Sequence, residues 1–169
     1  MFVGPDMCGK SEIARELSRQ LEVPLFKASS EHDTFMNAQQ RFIHQLQYAD
    51  PRVLDFLVQT GYSVIFDRAY PCEEVYAKVF RRNTDHRVLV HLDREYAKLG
   101  ARIVICHRSS YVGIKDDLNK DIDAKVLQDL DRGYVNFSAW TRCNVLHLNV
   151  DDENLEREVR DVKVWLETV

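Results

Sequence analysis

Gly4-Pro5-Asp6-Met7-Cys8-Gly9-Lys10-Ser11 is the stretch on which the reading of this chain turns. It fits the pattern Gly, four free positions, Gly, Lys and Ser or Thr, whose chemistry is phosphate binding. Two glycines let the main chain curl into a cup of N–H groups, and the positive end of the next helix points at the same anion. In that arrangement Lys10 reaches the β- and γ-phosphates of a nucleotide and the Ser11 hydroxyl holds Mg2+. Pro5, Asp6, Met7 and Cys8 supply the backbone between the glycines. The pattern requires a strand before it and a helix behind it. Met1-Phe2-Val3 is apolar, and Ile13, Leu17 and Leu21 recur at helical spacing, so the context is met. The competing reading, a glycine-rich turn with an incidental lysine, has that context against it.

Outward from the loop, the sequence alternates strand and helix. Val23 to Phe26 reads as a second strand, and Phe35, Phe42 and Leu46 mark a helix over about 33–47. Asp50-Pro51 opens another helix, which Gly61 ends. Tyr62-Ser63-Val64-Ile65-Phe66 is the strongest strand signal, and Pro71-Cys72-Glu73-Glu74 starts a helix with acids in its first turn. Val75, Tyr76, Val79 and Phe80 are expected on its buried side. Leu89, Leu92, Tyr96 and Leu99 carry the next helix, closed by Gly100, and Arg102 to Cys106 makes a fourth strand. Val126, Leu130, Tyr134 and Phe137 mark a further helix, and Asn144 to Leu148 a fifth strand. Leu155, Val159, Val162 and Leu166 mark a last helix, capped near Asp151 or Asp152. The expected fold is therefore α/β, a three-layer P-loop architecture: five parallel strands, helices on both faces and right-handed crossovers. At 169 residues and 45% hydrophobic composition, one domain spanning 1–169 is expected.

Composition limits the partners. A net charge of −4 gives no overall basic field for nucleic acid, so small charged ligands fit better. Cys8, Cys72, Cys106 and Cys143 lack Cys-x-x-Cys spacing, and reduced thiols in a cytoplasmic setting are the simplest account. The six histidines stand singly, with no pair at metal-ligand spacing. No apolar run approaches a membrane span and no signal sequence is read, although the short opening strand leads us to expect residues upstream of Met1.

Two further sites follow strand ends, where ligands bind in parallel sheets. Asp67-Arg68 follows the third strand: the acid can serve Mg2+ or take a proton from an attacking hydroxyl, and the arginine can clamp a phosphate or carboxylate. A surface ion pair is the alternative. His107-Arg108 follows the fourth strand, and Ser109 to Lys120 mixes Gly and charge with little periodicity. That stretch reads as a lid whose closure excludes water, or as an ordinary surface loop. The sequence has no obvious Asn-Lys-x-Asp guanine-reading segment and no room for a motor's accessory parts, which favours a phosphotransferase acting on a small acceptor.

With these motifs in place, the chain resembles the thymidylate kinase family within the nucleoside and nucleotide kinases. Val3-Gly4-Pro5-Asp6 with Gly9-Lys10-Ser11 is similar to the family's loop, and Asp67-Arg68 with Glu74-Val75-Tyr76 to its Asp-Arg motif and following helix. Val126 to Tyr134 and the final strand and helix are similar as well. The resemblance implies that Asp6 contacts the acceptor sugar's 3′-hydroxyl, that Arg68 holds the acceptor phosphate and that Asp67 serves magnesium or proton transfer. It also makes homodimers an expectation. Val3 departs from the family's Glu, and Lys27-Ala28-Ser29-Ser30-Glu31 replaces its Thr-Arg-Glu-Pro segment, which leaves the acceptor open. Met7 stands where some members carry an arginine, and 109–120 contains none, so Arg108 and Lys115 are the replacements to test. Phe42 could stack on the acceptor base and Gln45 read its edge, with core packing and a solvated helix as equal alternatives.

The resulting expectation is an ATP- and Mg2+-dependent kinase of the deoxynucleoside monophosphate type, acting on a pyrimidine such as dTMP or a modified relative. The compact length and altered acceptor segment would suit a viral member. A second reading takes a hydroxyl acceptor, a free deoxynucleoside or a 5-hydroxymethylpyrimidine in DNA; Lys78, Arg81 and Arg82 could then track the strand's phosphates, although a solvated basic face is the first account of them. A third, a non-catalytic nucleotide-binding regulator, follows from the missing lid arginines.

Overall fold

The computed structural model describes residues 1–27, 49–114 and 122–168. Five strands, β1 (Phe2–Val3), β2 (Leu25–Lys27), β3 (Ile65–Asp67), β4 (Arg102–His107) and β5 (Asn144–Asn149), form one parallel sheet in the order β2-β3-β1-β4-β5. The described helices are α1 (Lys10–Leu21), α2 (Asp50–Thr60), α3 (Tyr70–Val79), α4 (His86–Lys98), α5 (Ala124–Ser138) and α6 (Leu155–Thr168). The helix expected over 33–47, with Phe42 and Gln45, lies outside the described residues, as do Lys115 and the rest of 115–120.

Strand periodicity sorts the core. Because alternate side chains leave opposite faces, Val3, Phe66, Ile103 and Ile105 join one apolar cluster while Phe2, Ile65, Val104 and Cys106 join another. The first cluster takes Leu54 and Leu57 from α2, Leu89 and Leu92 from α4, and Leu130 and Phe137 from α5. The second takes Ile13 and Leu17 from α1 and Val159 and Val162 from α6. Helices therefore cover both faces, as the near-continuous apolar strands require.

The helix ends follow local chemistry. Asp85 accepts from the Arg87 and Val88 amides at 3.0 and 3.4 Å, and Asp123 from the Val126 amide at 2.8 Å, each satisfying an N-terminal donor. Gly61 closes α2 at φ 67°, as its position predicts. At the start of α6 the Arg157 amide bonds Asn154 at 3.0 Å, so the cap is Asn154 rather than Asp151 or Asp152. Those two acids are engaged elsewhere: Asp151 accepts from the Ser109 amide at 2.9 Å and Asp152 pairs with Arg157 at 2.6 Å.

Two more expectations shift. Strand β3 begins at Ile65 rather than Tyr62, because its partner strand begins at Leu25 opposite Ile65, and Tyr62 is 69% exposed and packs edge-on against Phe56 of α2. Helix α3 buries Glu73 and Glu74 with Val75 and Ala77, whereas Phe80 is exposed. The two acids tolerate burial because they are paired: Arg82 reaches both Glu73 oxygens at 3.3 and 3.0 Å, Lys78 is ion-paired to one Glu74 oxygen, and His86 Nδ1 lies 3.3 Å from the other. All four cysteines are free. Among the described residues no helix is long and apolar enough to cross a membrane, and no group of three or more His, Cys, Asp or Glu could hold a metal ion.

Candidate active site

Strand order places the site. The chain runs from β1 outward to β2 and β3 on one side, then to β4 and β5 on the other, so the loop after β1 leaves the sheet at its switch point. Phe2 is in register with Asp67, and Val3 with Ile105. The carboxyl ends of β3 and β4 thus flank the loop.

The loop conformation explains its residue types. Gly4 has φ 142°, and a Cβ there would run into the Cys106 carbonyl, so only glycine fits between β1 and β4. Gly9 turns left-handed at φ 62° to start α1, and its carbonyl accepts from the Glu12 and Ile13 amides. Met7, at φ 63°, is the strained non-glycine position of the loop. Lys10 folds back over this turn: its Nζ donates to the Pro5 carbonyl. It is only 5% exposed, and burial, followed by the Arg68 cation, holds its ammonium pKa below the usual 10.5. Ser11 follows it in the first turn of α1.

On the β3 side, Arg68 stands at φ 68° directly after the strand, and its amide donates to the Phe2 carbonyl at 3.0 Å. Its guanidinium is ion-paired to Asp6, donates to the Tyr76 hydroxyl at 3.3 Å and lies 5.7 Å from the centre of the Tyr76 ring. Tyr76 in turn donates to the other Asp6 oxygen at 2.6 Å. Asp6 of the loop is therefore held by both groups. Burial alone would raise its pKa, but Arg68, the Tyr76 hydrogen bond and Lys10 outweigh it and hold the carboxyl below the usual 3.8.

That shift has a direct consequence for stability. A carboxylate with a lowered folded-state pKa contributes stability above its unfolded value, and the contribution is lost as pH falls through the folded value. Asp6→Asn is expected to cost about 1–3 kcal/mol near neutrality, since it leaves Arg68 without its counter-charge. Denaturant titrations should show the difference shrinking as pH falls below about 4. A difference independent of pH would contradict the ion pair.

Asp67, one residue before Arg68, is 1% exposed, and its Oδ1 has no hydrogen-bond partner among the described residues. A buried carboxylate oxygen without a donor is costly and calls for a cation or a proton. Being a hard oxygen ligand at the strand end beside the loop, it fits Mg2+.

On the β4 side, Arg108 Nε donates to the Met7 carbonyl at 3.2 Å, and the guanidinium pairs with Glu153 at 2.7 Å. The described part of the expected lid is fastened. The Ser109 hydroxyl accepts from Asn149 at 3.1 Å, and Tyr111 is buried. The structure thus gathers Gly4 to Ser11, Asp67, Arg68 and Arg108 around one loop. Tyr76, Tyr111 and Glu153 were not singled out from sequence as polar partners. Tyr76 in an apolar helix stripe reads as core, Tyr111 stands in a stretch without periodicity, and Glu153 gives no signal among its acidic neighbours.

This arrangement defines a class: the fold is that of the P-loop nucleotide kinases. No protein-family model matches the chain, and a search of curated proteins found no match. Solved structures do match. The chain is similar to the YorR protein of Bacillus subtilis, solved with phosphorylated GDP (TM-score 0.70, 23% identity, 98% of this chain and 94% of that one). It is similar to a thymidylate kinase from Candida albicans (0.66, 13%, 99% and 89%). It is also similar to a deoxyadenosine kinase from M. mycoides solved with dCMP and dCDP (0.62, 17%, 99% and 98%). At these identities the likeness establishes the fold.

Proposed function

We propose that this protein is an ATP- and Mg2+-dependent phosphotransferase that phosphorylates a deoxynucleoside monophosphate, with a pyrimidine such as dTMP or a modified relative as the favoured acceptor. The observation that carries the reading is the Arg68–Asp6 pair. It sets a planar cation suited to an acceptor phosphate directly against the loop suited to the donor. The similarity to a thymidylate kinase and a deoxyadenosine kinase agrees with this substrate class.

The chemistry is mostly positioning. Loop amides and Lys10 hold the donor phosphates, which requires Lys10 Nζ to exchange the Pro5 carbonyl for phosphate oxygen. Ser11 and Asp67 are the residues that would hold Mg2+, which when bound neutralises charge on the phosphates. Arg68 orients the acceptor, with Asp6 and Tyr76 fixing the guanidinium plane. Arg108, tethered at Met7, is placed to stabilise charge on the transferring group.

A second reading is favoured by one observation: the guanidinium of Arg68 is already engaged, while Asp67 Oδ1 has no hydrogen-bond partner among the described residues. Asp67 could then accept a proton from a hydroxyl acceptor, a deoxynucleoside or a hydroxymethylpyrimidine in DNA. Transfer from radiolabelled ATP to nucleosides, nucleoside monophosphates and modified DNA tests both. With a monophosphate acceptor, Arg68→Ala is expected to lower kcat/KM by on the order of 10²-fold, and Arg68→Lys to restore little of it. Unchanged transfer to dTMP by Arg68→Ala would refute the acceptor assignment. ATP binding without transfer to any acceptor would favour a regulator.

A further inference from the structure

One buried hydroxyl links three elements around the donor loop. The Tyr111 ring is 4% exposed and lies in the same apolar cluster as Cys8, Cys106 and Leu127. Its hydroxyl donates to Asp131 Oδ1 on α5 at 3.0 Å, accepts from the Arg108 amide at 3.2 Å and lies 3.5 Å from Cys8 Sγ. Cys8 belongs to the phosphate loop, and the side chain of Arg108 returns to that loop at the Met7 carbonyl.

The donor and acceptor inventory fixes the direction of these bonds. An ionised carboxylate only accepts, so the hydroxyl proton goes to Asp131 and the oxygen lone pairs face the Arg108 N–H and the Cys8 S–H. Each group then has a use for the others. Burial pushes the Asp131 pKa up, while the Tyr111 hydrogen bond works in the opposite direction. The bond is charge-assisted and stronger than a neutral one.

We propose that Tyr111 is a positioning residue of the donor site: its hydroxyl holds the phosphate loop at Cys8 and the Arg108 backbone in fixed relation, with Asp131 on α5 as the anchor. The hydroxyl thus sets the Arg108 backbone, while the Met7 carbonyl and Glu153 hold its side chain, and the two together place the guanidinium beside the loop. This inference rests on the ATP-binding reading of the loop.

Tyr111→Phe is the test, because the ring keeps its packing while the three polar contacts disappear. The Kd and KM for MgATP are expected to rise about 10-fold, the loss of one charge-assisted bond. The acceptor KM should stay within about twofold, and the Arg108 amide should exchange hydrogen faster. Asp131→Ala removes the anchor from the other side, is expected to shift MgATP affinity in the same direction, and decides the matter if Tyr111→Phe does not fold. Unchanged MgATP affinity in the variants, or equal losses for both substrates, overturns the role of Tyr111 and leaves the kinase reading intact. Failure of the unaltered protein to bind MgATP overturns both.

Discussion

Lys10→Met is expected to lower phosphoryl transfer by on the order of 10³-fold, the scale set by loss of a cation at the transferring group. The same variant should leave thermal stability unchanged or raised. Lys10 is buried; its ammonium donates to the Pro5 carbonyl and feels the Arg68 cation, which opposes its charge, and Cys8, Cys106 and the Asp6 carboxylate, the last already held by Arg68 and Tyr76. Desolvating a cation costs several kcal/mol, which these partners only partly offset. The lowered ammonium pKa expresses that deficit. Its sign is defined: an ammonium less readily protonated when folded subtracts from stability below its folded pKa. The penalty fades as pH rises toward 10.5, the value of an unperturbed lysine. Methionine keeps the apolar stem and removes the charge, so the variant should lack that alkaline rise. Thermal melts at several pH values alongside transfer assays test this. A large drop in Tm with transfer preserved would make Lys10 a structural residue.

The sequence was most legible where chemistry and periodicity pointed the same way. Gly4 and Gly9 could be read because the pattern needs backbone that other residues cannot adopt, and both prove left-handed or closely packed. Ile103 and Val104 announce a two-faced strand, and Leu89, Leu92 and Tyr96 a buried helix stripe. Strand ends were less legible. Tyr62 looks β-prone, yet it directly follows the Gly61 helix end and packs against the Phe56 ring outside the sheet. Caps were misread for a similar reason, since Asp151, Asp152 and Asn154 all have suitable side chains and only tertiary partners decide which is used. The site divides along the same line. Single residues with strong types, Lys10, Asp67, Arg68 and Arg108, stood out. Tyr76 is hidden in an apolar helix stripe, Asp131 is distant in sequence, and Tyr111, though only three residues from Arg108, lies in a stretch without periodicity, so contact alone reveals them.

Asp67→Asn is expected to lower kcat/KM by about 10²–10³-fold, comparable to removing one group that stabilises developing charge. It should not destabilise the fold. The substitution preserves shape and removes a buried charge whose Oδ1 has no donor among the described residues, so stability should hold or improve. Retaining such an oxygen at the end of a central strand makes sense when a cation or proton is its partner in catalysis. The two roles separate cleanly by acceptor. If Asp67 serves Mg2+, the loss appears with nucleotide and hydroxyl acceptors alike, and the Mg2+ concentration for half-maximal rate rises. If it takes a proton from the acceptor, the loss is confined to hydroxyl acceptors and the Mg2+ requirement is unchanged. Full activity with an unaltered Mg2+ requirement would remove Asp67 from the mechanism, leaving Lys10, Arg68 and Arg108 to organise the phosphates around the loop.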